Sequence, residues 1–226
     1  LVITDAVTDH ECYLLVTLSN RGNGMVDPDI WKNTDQPEVA IERNKKFWST
    51  RTLGVIDPMQ ILVHPGGHIQ YRTSLKAAAQ GTENIALVVD RKNRIRESNE
   101  QNNRQSYSLS CALPDLVINR LYLDEHCTVT AEIRNTGDAE ILAAAYEPNG
   151  PDIMLKRNGK TWGAWPLRQI DPQQALQQPG AKITFSTKLK PGSQPEKFQL
   201  ILDQENRLLE KDEKNNSHNA EFACKG

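Results

Sequence analysis

Long apolar runs are missing from this chain of 226 residues. A helix needs roughly 18 consecutive apolar residues to cross a bilayer. The longest runs here, such as 85–89, are only strand-sized, so no membrane insertion is expected within this segment. A strong charge of either sign is missing too: 27 Lys and Arg face 29 Asp and Glu, a formal net charge of −2. Without a basic field nothing steers nucleic acid or anionic lipid to the chain, and nucleic acid is not expected as a partner. Cysteine is sparse, four in all, with no Cys-x-x-Cys spacing, which argues against zinc. Gly-x-Ser-x-Gly, His-Glu-x-x-His and phosphate-cradling glycine loops do not occur. The chain therefore reads as a non-enzyme. No signal peptide is visible ahead of Leu1, and a processed chain would not show one.

What the chain does contain is a second version of itself. Leu1-Val2-Ile3, Cys12 and Asn20-Arg21-Gly22 recur as Leu116-Val117-Ile118, Cys127 and Asn135-Thr136-Gly137, 115 residues later. Trp48, Ile56-Asp57-Pro58 and Pro65-Gly66 recur as Trp162, Ile170-Asp171-Pro172 and Pro179-Gly180, at an offset of 114. Cys111 recurs as Cys224, at 113. The order is collinear and the drift is what small loop deletions produce. Solenoid repeats run about 20–50 residues and need neighbours to fold; this period is far longer, so each copy should own a core. The expected domains are 1–113 and 114–226, joined at Ala112-Leu113-Pro114.

Within each copy the apolar residues alternate with period two, the signature of half-buried strands. Leu14, Val16 and Leu18 alternate in the first copy; Val129, Ala131 and Ile133 alternate in the second. Denser runs at 85–89 and 198–202 suit central strands, and Asn158-Gly159 is a two-residue hairpin signal. Short helix is expected only at 140–146 and 75–80. The chain is thus expected to be all-β: two tandem immunoglobulin-like β-sandwich domains of about seven strands each.

Four cysteines permit three pairings. The repeat selects Cys12–Cys111 and Cys127–Cys224, because each copy then closes its own bridge between the opening of its second strand and the end of its last. Such bonds persist in oxidising compartments, so the chain is expected to be exported, to the periplasm, the cell surface or the extracellular space.

Both copies resemble the CARDB family, the cell adhesion related domain found in bacteria. The resemblance rests on Asp115-Leu116-Val117-Ile118, on the Asn-x-Gly turns at 20–22 and 135–137, and above all on a terminal tract. That tract runs Asp-x-x-Asn-x-(Ile/Leu)-x-Glu-x-x-Glu-x-Asn-Asn, from Asp90 to Asn103 and from Asp203 to Asn216. The resemblance implies an immunoglobulin-type sandwich in an extracellular bacterial or archaeal protein, assigned to adhesion or surface interaction without chemistry of its own. The cysteine pair lies outside that pattern.

The duplication also sorts candidate sites, because residues kept in both copies are explained by their shared fold. Asp90, Asn93, Glu97 and Glu100, with Asp203, Asn206, Glu210 and Glu213, offer hard oxygens that would suit calcium. They lack the EF-hand rhythm, and a turn-forming role is the stronger expectation; no cofactor is otherwise implied. Trp48 and Trp162 are equivalent and read as packing residues. Trp31 and Trp165 have no Trp opposite them and are candidates for a binding surface. His64 and His68 stand where the second copy has Gln178 and Lys182, which favours a solvated loop over a metal pair.

The function these residues suggest is a non-catalytic exported binding, adhesion or adaptor module that meets a protein or cell-surface ligand. Specificity is expected in the unlike loops 25–35 and 140–149. Its rivals are a homo-oligomeric subunit of a surface filament or envelope assembly, and accessory domains of a larger secreted enzyme.

Overall fold

The computed structural model describes residues 1–224, which fall into two compact units that divide between Cys111 and Ala112. The first contains β1 (Val2–Thr8), β2 (Tyr13–Ser19), β3 (Glu38–Arg43), β4 (Lys46–Thr52), β5 (His68–Lys76), β6 (Glu83–Val89) and β7 (Arg104–Leu109). The second contains β8 (Leu116–Leu123), β9 (Val129–Asn135), β10 (Asp152–Arg157), β11 (Lys160–Pro166), β12 (Lys182–Ser186), β13 (Glu196–Leu202) and β14 (Ser217–Phe222). In each unit a three-stranded sheet faces a four-stranded one: β1-β2-β5 with β4-β3-β6-β7, and β8-β9-β12 with β11-β10-β13-β14. Every pairing is antiparallel. The chain is therefore all-β, two tandem sandwiches of seven strands.

The period-two pattern translates directly into packing. Leu14, Val16 and Leu18 of β2 are fully buried, as are Val129, Ala131 and Ile133 of β9. From the opposite sheet come Ile85, Leu87 and Val89, or Phe198, Leu200 and Leu202. The strands expected to be central, β6 and β13, each pair on both sides. Both two-residue hairpins take left-handed backbone at their tips, with φ of 51° and 65° at Asn44 and Lys45 and 50° and 80° at Asn158 and Gly159. That is the twist a tight hairpin requires.

The helical expectations hold only in part. Residues Ala143–Tyr146 form a single 3-10 turn, but Leu75 and Lys76 finish β5, 77–80 carry no helix, and single α-helical turns form instead at Leu53–Ile56 and Leu167–Ile170. Leu75 is buried and the Ala77 amide donates to the Cys12 carbonyl, so tertiary pairing holds this stretch extended.

One end of each sandwich is stapled by the disulfides Cys12–Cys111 and Cys127–Cys224, with Cα atoms 5.3 and 5.9 Å apart. Cys12 and Cys127 occupy left-handed backbone, φ 71° and 60°, a conformation that costs a non-glycine residue energy. An aspartate opens each loop and holds that shape. Asp9 Oδ1 accepts the amides of Glu11 and Tyr13 at 2.9 and 2.8 Å, and Asp124 Oδ1 accepts those of His126 and Thr128 at the same distances.

Each bridge spans nearly a whole unit, with separations of 99 and 97 residues, which in the chain-entropy picture corresponds to about 4–5 kcal/mol per unit. Reduction, or the pair Cys12→Ser and Cys111→Ser, should lower the denaturant midpoint markedly. Urea unfolding followed by tryptophan fluorescence measures this, and an unchanged midpoint would contradict it.

Candidate functional site

Antiparallel pairing sends the longer connections of each unit to the end away from its disulfide. In the first unit these are residues 20–37, 53–67 and 90–103; in the second, 136–151, 167–181 and 203–216. Long irregular loops are hard to seat because buried amides must find acceptors. Four buried aspartates solve this. Asp57, Asp90, Asp171 and Asp203 each accept the amides four and five residues ahead on their two carboxylate oxygens: Ile61 and Leu62, Arg94 and Ile95, Ala175 and Leu176, Arg207 and Leu208, all at 2.7–3.0 Å. In each loop the residue three positions after the aspartate turns left-handed (Gln60, Asn93, Gln174, Asn206; φ 49–56°) and donates its amide to the aspartate carbonyl. The fifth residue, Leu62, Ile95, Leu176 or Leu208, then drops into the core.

This accounts for half of the acidic tract, and its glutamates are spent in the same way. Glu210 Oε1 accepts the Leu116 amide at 2.6 Å and Oε2 accepts Asn216 Nδ2 at 2.6 Å, tying the first strand of the second unit to the tract. In the first unit the buried Glu97 carboxylate faces the Leu1 nitrogen, at the place that the Leu116 amide holds in the second. Glu100 Oε1 accepts the Glu97 amide and Glu213 Oε1 accepts the Glu210 amide, both at 2.9 Å. Asn103 Nδ2 donates to Glu100 Oε2 at 3.2 Å. These oxygens are turned onto the chain's own donors rather than gathered on one point. Among the described residues no group of three or more His, Cys, Asp or Glu side chains is placed to hold a metal ion. His64 and His68 are both solvent-exposed.

Burial leaves its mark on this tract. Asp90 is pushed above the usual carboxylate range by desolvation, against the pull of its two amide partners. Glu210, 2% exposed, is pushed up to about 8, first by desolvation and further by the nearby Glu213 and Asp203 carboxylates.

The tryptophans sort differently from the sequence expectation. Trp31 is 4% exposed and presents no surface. It lies in the 3-10 turn Pro28–Lys32 and occupies the place of Tyr146, the buried aromatic that ends the corresponding turn of the second unit. Tyr146 donates its hydroxyl to Asp171 Oδ2 at 2.9 Å, so the position is an aromatic plug over the Asp-anchored loop. A change of residue type hides the equivalence, although the offset of 115 fits. Trp165 is half-buried. Its ring meets Phe185 edge-on at 5.0 Å, bridging the edge strands of the two sheets, and lies so near Gly163 that a Cβ there would come within 2.9 Å.

The two tryptophans read as core or edge-packing residues are not in the core, with Trp48 46% and Trp162 42% exposed, although Trp162 packs at the sheet edge against Trp165 with ring centroids 5.9 Å apart. The reason is a β-bulge in each outer hairpin. Ile41 pairs with Ser49 and Glu42 with Phe47, while Leu155 pairs with Gly163 and Lys156 with Thr161. The skipped residue is the tryptophan, and a bulge turns its side chain outward. Arg43 covers Trp48 at 5.2 Å.

The loop ends of the two units differ in surface. Val55, Met59 and Ile61 are exposed apolar side chains in the first; Gln169, Gln173 and Ala175 stand in their places in the second. Met25 is likewise exposed and matches the position of Glu140. The first unit also carries an open cleft of about 620 Å³ between the start of β1, the Asn20–Ile30 loop and the 94–102 segment.

Two measurements test this geometry. A carboxyl whose folded pKa lies above its unfolded value near 4.5 keeps more protons when folded, so stability falls as pH rises between the two values. Melting of the second unit should therefore weaken from about pH 5 to about pH 8, with a slope of up to about 1.4 kcal/mol per unit, and then level off. Glu210→Gln should flatten that window, since Gln can accept from Leu116 and donate to Asn216; an identical slope in the variant would refute the assignment. Calcium added to chelator-treated protein should give no calorimetric heat and no shift in melting temperature.

A family model for CARDB matches residues 2–107 and again 113–220. No curated protein sequence matches the chain. Among solved structures, the CARDB domain of a Pyrococcus furiosus protein, described in complex with di-metal ions, is 16% identical over 49% of this chain and 93% of its own, with a TM-score of 0.33. The BSP domain of a biofilm associated protein is 10% identical over 91% of this chain and 27% of its own, TM-score 0.26. Chicken interferon gamma receptor alpha chain is 5% identical over 99% of this chain and 98% of its own, TM-score 0.30.

Proposed function

The chain belongs to the CARDB family in both of its halves, and from that membership we propose that it is a non-catalytic, exported binding module that engages a protein or cell-surface ligand through the loop end of its first sandwich. Export is supported by the two disulfides, which an oxidising compartment keeps formed. Among the described residues no helix is long and apolar enough to cross a membrane.

The observation that carries the reading is the contrast between the two loop ends. The same Asp-anchored loop displays Val55, Met59 and Ile61 in one copy and Gln169, Gln173 and Ala175 in the other. Fold requirements are common to both copies, so they do not explain why this loop turns apolar side chains to water in only one; the exposed apolar residues at that end of the second unit, Leu142 and Leu209, lie on its other loops. Exposed apolar residues gathered on one loop are the usual mark of an interaction surface, and a rigid scaffold under that loop lowers the ordering cost of binding. Loops of this kind carry specificity while the sandwich carries stability.

The test grafts the second copy's surface onto the first. Val55→Gln, Met59→Gln and Ile61→Ala together should leave the melting temperature within a degree or two, since these side chains are solvated. The same triple variant should lose at least about tenfold in affinity for envelope protein or glycan fractions captured by the immobilised parent chain, or about 1.4 kcal/mol. Undiminished capture by the variant would sink this reading of the loop.

A further inference from the structure

The outer hairpin of each unit repeats a charged arrangement that strand pairing does not favour. Arg43 stands directly opposite Lys46 across β3 and β4, and Arg157 directly opposite Lys160 across β10 and β11. Directly opposed residues share a face, and like charges there weaken the strand pair. A glutamate holds each arginine: Glu83 pairs with Arg43, and Glu196 Oε1 accepts Arg157 Nη2 at 2.8 Å. The two lysines are solvent-exposed, and among the described residues neither is held in an ion pair.

The bulged tryptophan joins this face. The Arg43 guanidinium lies over the Trp48 ring, which still keeps nearly half of its surface in water. Trp162 rests on Trp165 and is exposed to a similar degree. Residues 42–51 carry four cations against Glu42 alone, whose two oxygens Arg104 already occupies. Residues 156–165 carry three cations and no carboxylate, in a chain whose net charge is −2. An exposed indole, an opposed pair of cations and an uncommitted lysine thus recur in both copies, and burial accounts for none of them.

We propose that each outer hairpin is a binding site for an acidic polysaccharide, with Trp48 or Trp162 stacked on a hexuronate ring and Lys46 or Lys160 on its carboxylate. The C–H face of a pyranose suits the negative face of an indole. The lysine precedes the tryptophan by two residues on the same strand, about 7 Å away, the scale of one sugar ring with its carboxylate. A protein partner would need a contiguous apolar centre within an interface of about 1,000 Å² or more. Here the exposed ring has no such surroundings, since Phe47, the exposed neighbour of Trp48, lies on the other face opposite Glu42. Two equivalent sites in one chain suit a partner whose acidic sugar repeats. The choice of a polysaccharide over other polyanions rests on the reading of the chain as an exported binding module.

The probe is trigalacturonate, a run of three hexuronates, titrated calorimetrically into the intact chain at low salt with chelator present. Two equivalent sites per chain are expected, with an affinity that falls as salt rises. Trp48→Ala and Trp162→Ala should each leave one site, and the double variant none. Lys46→Gln combined with Lys160→Gln should weaken binding at least about tenfold by removing the charge-assisted contact. The melting temperature of that pair should stay level or rise, because the opposed cations are gone. These solvated lysines keep the test open if a tryptophan variant fails to fold. Neutral maltotriose should not bind. The proposal is overturned by a folded parent without saturable binding, by sites that survive the double tryptophan variant or the lysine pair, or by a thymidine oligonucleotide of equal charge bound as tightly as the sugar. The Val55, Met59 and Ile61 graft should keep both sites. If the sugar fails while capture still depends on that graft, the polysaccharide site falls and the binding-module reading stands.

Discussion

A buried backbone amide without an acceptor is costly, on the order of 1–3 kcal/mol, and the loop ends of both sandwiches are arranged around that constraint. Asp57, Asp90, Asp171 and Asp203 each bring a carboxylate into the protein and spend both oxygens on the amides of the following turn. The left-handed residue between them reverses the chain, and the next apolar side chain anchors the loop in the core. Desolvation works against such a carboxylate, as the raised pKa of Asp90 records. Removing one such side chain would strand two amides at once, so the loop surfaces, including the cleft and the exposed Val55, Met59 and Ile61, depend on these four anchors.

The two ends of each sandwich consequently have different characters. The disulfide end is closed covalently, with its cysteine held left-handed by Asp9 or Asp124. The opposite end is held by hydrogen bonds and apolar anchors, and there the two copies are free to diverge. Arg21 for Thr136, Val55 for Gln169 and Met59 for Gln173 change the surface without touching an anchor. Duplication with divergence on one face is a direct route from a stable scaffold to a specific contact.

The same duplication makes much of the fold legible in the sequence. Alternation at Leu14, Val16 and Leu18 places β2, Asn158-Gly159 places a hairpin, and the collinear repeat selects the disulfide pairing. The Asp-anchored loops are legible only in part. The tract beginning at Asp90 or Asp203 stands out for its oxygens, yet the shorter pattern Asp-x-x-(Asn/Gln)-x-(Ile/Leu) also occurs at Asp57 and Asp171, without the glutamates that draw attention to it. Trp31 misleads because its counterpart is a tyrosine, and Trp48 and Trp162 mislead because equivalence does not mean burial. Two copies can share an exposed residue when both share the bulge that exposes it.

Periodicity, turn residues and self-similarity are local or collinear properties, and the sequence by itself determined their consequences: two all-β units, their strands, their family and their bridges. Which way a side chain faces at a bulge, and which amide a carboxylate reaches, depends on register between strands distant along the chain. A slip of one residue reverses inside and outside, so only the tertiary structure could place Trp31 in the core, turn Trp48 outward and spend the acidic tract on backbone. The close approach at Gly137 is of the same kind: the glycine is visible in the sequence, but the Leu113 carbonyl pressed against it is visible only once the chain is folded.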